Sequence, residues 1–413
     1  MRRLIVFLCI FSAALMLRAQ AAADVVTADT VAPSPVDSTL TVSLLTCSPG
    51  QLIYELYGHT AIRVRSVRDG IDLVFNYGVF SFDQPNFLGR FLLGKCDYLV
   101  APCTLDVFMV EYRKRGSSVT EQVLNLKLGE AARLKQALFD ACRPENRSYR
   151  YNFLTKNCTT KARDIIEEHI DGEVIYPVHN PRFSSRQLVR QFTEGHPWAE
   201  VGNDLLLGLD MDTLVSMRGE MFLPTYLQSY ADSAMIRFAH GYHYRPLVRE
   251  THVLLEANPE AMAAAEARQA WFPLSPTQLG WILLALCVLL LLWEQKRGRM
   301  LWGVDIVLML IQGVAGVLLF VLMLWSEHPG VATNWQFVVL NPLPLLLLPY
   351  VVTCDIRRKR CLYHRWAAVV LLLFLVAVPF ARQNFSVLTV FMALCLLTRA
   401  VSHMLQYKNK LTS

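Results

Sequence analysis

Charged residues are scarce in this sequence: Asp, Glu, Lys and Arg make up 18% of 413 residues, against about 25% in an average soluble domain. With 54% hydrophobic residues and a mean hydropathy of +0.32, the shortage excludes a disordered chain and points to a membrane protein. There is no CxxC pair and no Cys/His cluster at zinc-site spacing, so neither a metal nor any other cofactor is expected. Internal repeats and low-complexity tracts are lacking too. The formal net charge of +6 does not indicate a nucleic-acid partner, because much of the Lys/Arg excess flanks apolar runs, where it sets topology.

The apolar excess lies mainly after Leu274, whereas Asp24 to Ala270 reads as ordinary mixed sequence. That division excludes a small disulfide mini-protein and a purely intramembrane transporter. Met1-Arg2-Arg3, the apolar stretch Leu4 to Leu17 and the small-x-small site Ala19-Gln20-Ala21 read as a signal peptide over 1–21; an uncleaved anchor is the alternative. Residues 24–270 are then expected to form a periplasmic domain. Five spans are expected between 277 and 404, at 277–293, 303–325, 335–353, 366–381 and 385–404, with a cytoplasmic tail over 405–413. Pro342, Pro344 and Pro349 should kink the third span. On one side the connections hold Lys296, Arg297, Arg299, Arg357, Arg358, Lys359, Arg360, Arg365, Lys408 and Lys410, and on the other only Arg382. The soluble domain therefore lies outside, and the inner membrane of a Gram-negative envelope fits best.

Within the soluble part, Thr39 to Thr46 alternates as a strand. Two more strands are expected from about His59 to Arg65 and from Gly70 to Val79. Glu130 to Arg143 and Asn157 to Ile170 read as helices, and 180–250 as a less regular helical region interrupted at Met221-Phe222-Leu223-Pro224. Ala257 to Ala270 reads as a helical stem. The expected domain is a mixed sheet with helices.

Five cysteines lie outside the membrane: Cys47, Cys96, Cys103, Cys142 and Cys158. An odd number in an oxidising compartment leaves a thiol unpaired within the chain. Cys158 stands out because Asn157-Cys158-Thr159-Thr160 opens a helix, where free N–H groups and the helix dipole lower a thiol pKa and can hold an oxyanion. A buried structural cysteine is the alternative. A thiol nucleophile needs a base, and His59 heads a strand. An even hairpin loop puts Asn76 on the same sheet face as His59, directly opposite if the loop is Ser66 to Asp69; an odd loop substitutes Tyr77. Arg63 shares that face and suits a phosphate or carboxylate, or else an outer-strand salt bridge. Tyr57 is a candidate to line the site. In the membrane part, His328, Asn334 and Asn341 are candidates for a head group or substrate, with loop capping and repair of kinked backbone as the alternatives.

A histidine on the first strand of a hairpin, a polar residue on the second and Asn-Cys opening a later helix resemble the permuted papain-like fold. That group includes lecithin:retinol acyltransferase and NlpC-like cell-wall peptidases. More specifically, Leu44 to Gly50, Tyr57 to Val64, Phe75-Asn76-Tyr77-Gly78, Tyr151-Asn152-Phe153 and Asn157 to Thr160 resemble the periplasmic domain of the Lnb family. So do Phe222 to Leu227, Ser326 to Pro329, Asn334-Trp335 and Asn341-Pro342. The Lnb family comprises lipoprotein N-acyltransferases of Bacteroides-type bacteria. The resemblance implies an α+β permuted papain-like periplasmic domain followed by an all-α five-span bundle. It also implies transfer of an acyl chain, through a Cys158 thioester, to the α-amine of a lipoprotein's N-terminal cysteine, from a phospholipid or diacylglyceryl donor. A cell-wall thiol peptidase and a non-catalytic membrane scaffold are the rival readings.

Overall fold

The computed structural model describes residues 37–80, 85–238, 243–267, 272–357 and 359–409. The expected signal peptide lies outside these, as does the end of the expected stem. The chain forms two compact units, one from the described parts of 1–180 and 216–269, the other from 181–215 and the described parts of 270–413.

The first unit is built on a sheet of β1 (Thr41–Cys47), β2 (His59–Ser66), β3 (Ile71–Val79), β4 (Asp97–Thr104), β5 (Val119–Leu124), β6 (Ser148–Arg150) and, after the short strands β7 (Glu173–Ile175), β8 (Met235–Arg237) and β9 (Tyr244–Pro246), β10 (Val248–Leu255). The order is β10-β5-β1-β2-β3-β4-β6. Every pairing is antiparallel, so the expectation of a mixed sheet is corrected. The order places β1 and β2 in the interior of the sheet. Six of the seven residues of β1 are buried, as expected for a strand covered on both faces. Val42, Leu44, Ile62, Val64, Phe75 and Tyr77 pack on one face against the helices Leu128–Ala141 and Cys158–Glu168. Leu45, Cys47, Ala61 and Val74 pack on the other against the helix Leu105–Arg115. Truncating one of these fully buried side chains, such as Leu45, to alanine should cost about 2–5 kcal/mol.

The helix expected at Glu130–Arg143 runs Leu128–Ala141, and the expected stem contains Pro259–Ala267. The β2–β3 register pairs Arg65 with Asp72 and Ser66 with Ile71. The loop is therefore Val67 to Gly70, even in length as one alternative required but two residues out of the expected register. His59 and Asn76 share a face without standing opposite each other, and Tyr77 turns into the core.

In the second unit five helices are long and apolar enough to span a membrane: Pro276–Arg297, Trp302–Trp325, Trp335–Ile356, Leu362–Phe380 and Val387–Gln406. The third is broken at Asn341-Pro342 between a 3-10 turn (Trp335–Val338) and a helix (Leu343–Ile356) containing Pro349. Residues 181–215, which sequence reading left in the soluble domain, cluster with these helices instead. They combine buried apolar side chains, Leu188, Val189 and Met211 among them, with a buried polar network. Arg186 is fully buried, pairs with Asp204 and Asp212 at 3.1 and 2.9 Å and donates to the carbonyls of Leu207 and Gly208.

Candidate active site

Sequence dictates the local geometry. Gly58 adopts φ +72°, and a Cβ there would meet the Cys47 carbonyl oxygen at 2.6 Å, so only glycine turns the chain tightly enough to begin β2 at His59. Asn157 caps the Cys158–Glu168 helix, its Oδ1 accepting from the Thr159 and Thr160 N–H groups at 2.9 Å each. Its Nδ2 donates to the carbonyls of Phe153 and Phe222. Thr60 Oγ1 donates to Thr159 Oγ1 at 3.2 Å, tying β2 to the helix start. Gly78, at φ +93°, lies beside the nucleophile; a Cβ there would be in ordinary contact, 3.8 Å from Cys158 Cβ, so it is the backbone conformation that favours glycine.

The structure brings Cys158, His59 and Asn76 together. His59 Nε2 lies 3.2 Å from Asn76 Oδ1. The Asn76 amide is oriented by its own NH2, which donates to Cys103 Sγ and to the Val74 carbonyl. An oxygen acceptor at Nε2 requires the proton there, which leaves Nδ1 for the Cys158 thiol. The imidazole and thiol are near enough for each to shift the other's pKa. His59 and Asn76 belong to one sheet face and the Cys158 helix packs on the other, so the three groups meet over the end of the sheet where β2 begins.

Electrostatics separate this thiol from its neighbours. Burial pushes the Cys47, Cys96 and Cys103 thiols up, and Cys142 up to about 12. Burial works in the same direction on Cys158, but the charge and hydrogen bond of His59, with the Thr60 backbone and Thr159, outweigh it and bring the thiol down to about 7. Burial likewise disfavours the imidazolium of His59, and the Cys158 thiolate with Asn76 outweighs that and raises its pKa. The arrangement favours a thiolate–imidazolium pair near neutral pH. Cys47, Cys103, Cys142 and Cys158 are free thiols.

The helix start is less open than its sequence implied. Its Thr159 and Thr160 N–H groups are taken by the Asn157 cap, leaving the Cys158 N–H as the first-turn donor not used in capping. Tyr57 packs edge-on to Phe153, ring centroids 5.6 Å apart, and Phe153 packs on Phe222.

The other candidates fare differently. Arg63 Nε and NH2 bind Asp72 at 2.7 and 2.6 Å, and NH1 binds Glu121 at 3.1 Å. All three nitrogens serve the salt-bridge alternative. Asn334 is also structural: it is buried, donates to the Leu205 and Leu206 carbonyls and accepts from the Gln336 N–H and Gln383. Asn341 donates to the Val338 carbonyl and accepts from the Leu343 N–H, repairing the break in the third span. His328 is half-buried and its N–H donates to Ser326 Oγ. Sequence reading missed Thr60, Cys103 and the cap role of Asn157. Asn157 alone had a local signal, a good N-cap residue before a helix.

Residues 35–191 match the Lnb N-terminal periplasmic domain, and residues 267–410 match the Lnb transmembrane domain. No curated protein and no solved structure matches the chain.

Proposed function

The chain belongs to the Lnb family and is a multi-pass membrane protein with a periplasmic domain; from that premise we propose that it is a lipoprotein N-acyltransferase of the inner membrane working through a Cys158 thioester on a permuted papain-like domain. The observation that carries this reading is the contrast among five extramembrane thiols. Only the one beside an Asn-oriented histidine is driven towards the thiolate.

The Cys158 thiolate attacks the carbonyl carbon of an ester in a phospholipid or a diacylglyceryl group. The Cys158 N–H is the donor placed to receive the oxyanion. On collapse the ester C–O bond breaks, and the departing alkoxide takes the proton held on His59 Nδ1. The acyl chain is left as a thioester. The neutral α-amine of a lipoprotein's N-terminal cysteine then adds to the thioester, His59 Nδ1 removes its extra proton, and the C–S bond breaks. Amide formation restores the thiolate–imidazolium pair, so no net proton is gained or lost by the enzyme. Asn76 keeps the ring in the tautomer both steps need. The membrane spans keep the enzyme with lipid-anchored donor and acceptor.

The test is mass spectrometry of a lipoprotein's N-terminal peptide from cells lacking the gene, complemented with wild type or Cys158→Ala. An amide-linked acyl group present with wild type and absent with Cys158→Ala is expected. Identical N-terminal acylation in every strain would overturn the reading and turn attention to peptidase assays.

A further inference from the structure

At the Lys/Arg-rich end of the second unit, three side chains from the third, fourth and fifth spans converge. They are Asp355 near the end of Leu343–Ile356, His364 in Leu362–Ala377 and His403 in Val387–Asn409. One ligating atom from each lies within 4.8 Å of the others. His364 and His403 are 4% and 1% exposed, and the Asp355 side chain is 3% exposed. Asp355 Oδ1, His364 Nε2 and His403 Nδ1 are buried with no hydrogen-bond partner among the described residues. Unpartnered buried polar atoms are costly and rare, and three within 4.8 Å of one another are a strong departure from that rule.

We propose that Asp355, His364 and His403 form a binding site for a divalent transition-metal ion of the zinc class that ties the three spans together. Four observations support it. Two imidazoles and a carboxylate are a zinc-type donor set, and donors at about 2.0–2.1 Å from a tetrahedral ion stand about 3.3 Å apart. His403 Nδ1 and Asp355 Oδ1 are 3.3 Å apart. Asp305 holds His403 Nε2 at 3.0 Å, the outer carboxylate that fixes a ligating histidine and leaves its other nitrogen bare. Charge agrees as well: Glu294, Asp305 and Asp355 are three buried carboxylates, and Arg399, the guanidinium paired with the first two, leaves two negative charges for a divalent cation to balance. The His364 ring is stacked on His403 at 3.7 Å and 11°, so binding requires it to tilt out of the stack. The rival arrangement is an imidazolium at His403 bridging Asp305 and Asp355, with no metal.

The experiment uses the full chain in detergent. Metal content would be measured after purification. Co2+ titration of the chelator-stripped protein would then be followed by visible absorption, for wild type, His364→Ala and Asp355→Asn. Wild type should take up one equivalent of Co2+ with bands typical of low-coordinate Co2+, and Zn2+ should displace them and raise the melting temperature. Both variants should lose the bands and the Zn2+-dependent rise, and a size-exclusion profile like wild type shows that the bundle is intact. If a variant fails to fold, the wild-type titration alone decides. Absence of stoichiometric, Zn2+-displaceable Co2+ absorption in wild type, or its persistence in folded His364→Ala, would overturn the proposal in favour of the imidazolium bridge.

Discussion

The thiolate–imidazolium pair makes a quantitative prediction for the alkylation of Cys158 as a function of pH. An ordinary thiol titrates at 9.0 and Cys158 at about 7. At pH 7 the first is about 1% ionised and the second about half, roughly a 50-fold gain in thiolate. A thiolate two units less basic is also less nucleophilic, by roughly 8-fold for a Brønsted slope of 0.4–0.5. Cys158 should therefore react with iodoacetamide about sixfold faster at pH 7 than an unperturbed thiol. The shape of the profile discriminates better. Between pH 7 and 9 the rate at Cys158 should rise only about twofold, against about 50-fold for a thiol titrating at 9; from pH 7 to pH 5 it should fall about 50-fold. The sign follows from the depressed thiol: thiolate is present above about 7 and lost below it, and the raised imidazole extends the paired state upward. The assay is peptide mapping of the five extramembrane cysteines after timed labelling of the detergent-solubilised chain. Cys47, fully buried and pushed up, is the internal slow control.

In His59→Ala the upward push of burial on Cys158 is opposed only by the smaller contributions of the Thr60 backbone and Thr159. The pH 9 to pH 7 rate ratio should climb from about 2 to 50 or more, and the rate at pH 7 should drop at least sixfold. A wild-type ratio near 50, or a ratio unchanged in His59→Ala, would refute the pairing on which the mechanism rests.

Two further outcomes are expected. Asn76→Ala removes the acceptor that keeps the proton on His59 Nε2, so acyl-enzyme formation, followed by intact mass in single-turnover reactions, should slow by about 10²-fold with little change in melting temperature. Asn334→Ala should do the reverse: it unmakes four bonds of a buried amide, lowering stability by about 1–3 kcal/mol, read as a lower melting temperature. KM for an acyl donor should stay at the wild-type value.

What was legible in the sequence was whatever repeats locally or obeys parity. The apolar runs gave the five spans because a bilayer accepts little else. Side-chain alternation puts His59 and Asn76 on one face for any even turn, which is why a two-residue error in register still leaves them within hydrogen-bond reach. The rest depended on partners far apart in sequence. Nothing near Arg63 announces that Glu121, on β5, will claim its guanidinium. Residues 181–215 have no apolar run to read as part of a membrane unit; Asn334 and Gln336 bond their carbonyls and Leu205 packs on the bundle core, partners that lie far away in sequence. The Asp355, His364 and His403 cluster has none of the close spacing of a zinc motif, since each residue comes from a different span.

The Asn157-Cys158 pair shows how a cap narrows what a helix start can offer. A helix N-terminus has unsatisfied N–H groups, so a thiol there was read as sitting in a ready oxyanion hole. Asn157 is itself a strong capping residue, however, and it satisfies the Thr159 and Thr160 N–H groups before any substrate arrives. The cap costs the site two donors but gives it rigidity. The same amide side chain is held by the Phe153 and Phe222 carbonyls, so the first turn cannot fray to reorient the thiol. The dipole of the helix still acts on Cys158, because it arises from the aligned peptides and not from the capped N–H groups alone. In the proposed mechanism, stabilisation of the oxyanion then falls on the N–H of Cys158 itself, which the capped first turn holds in a fixed position.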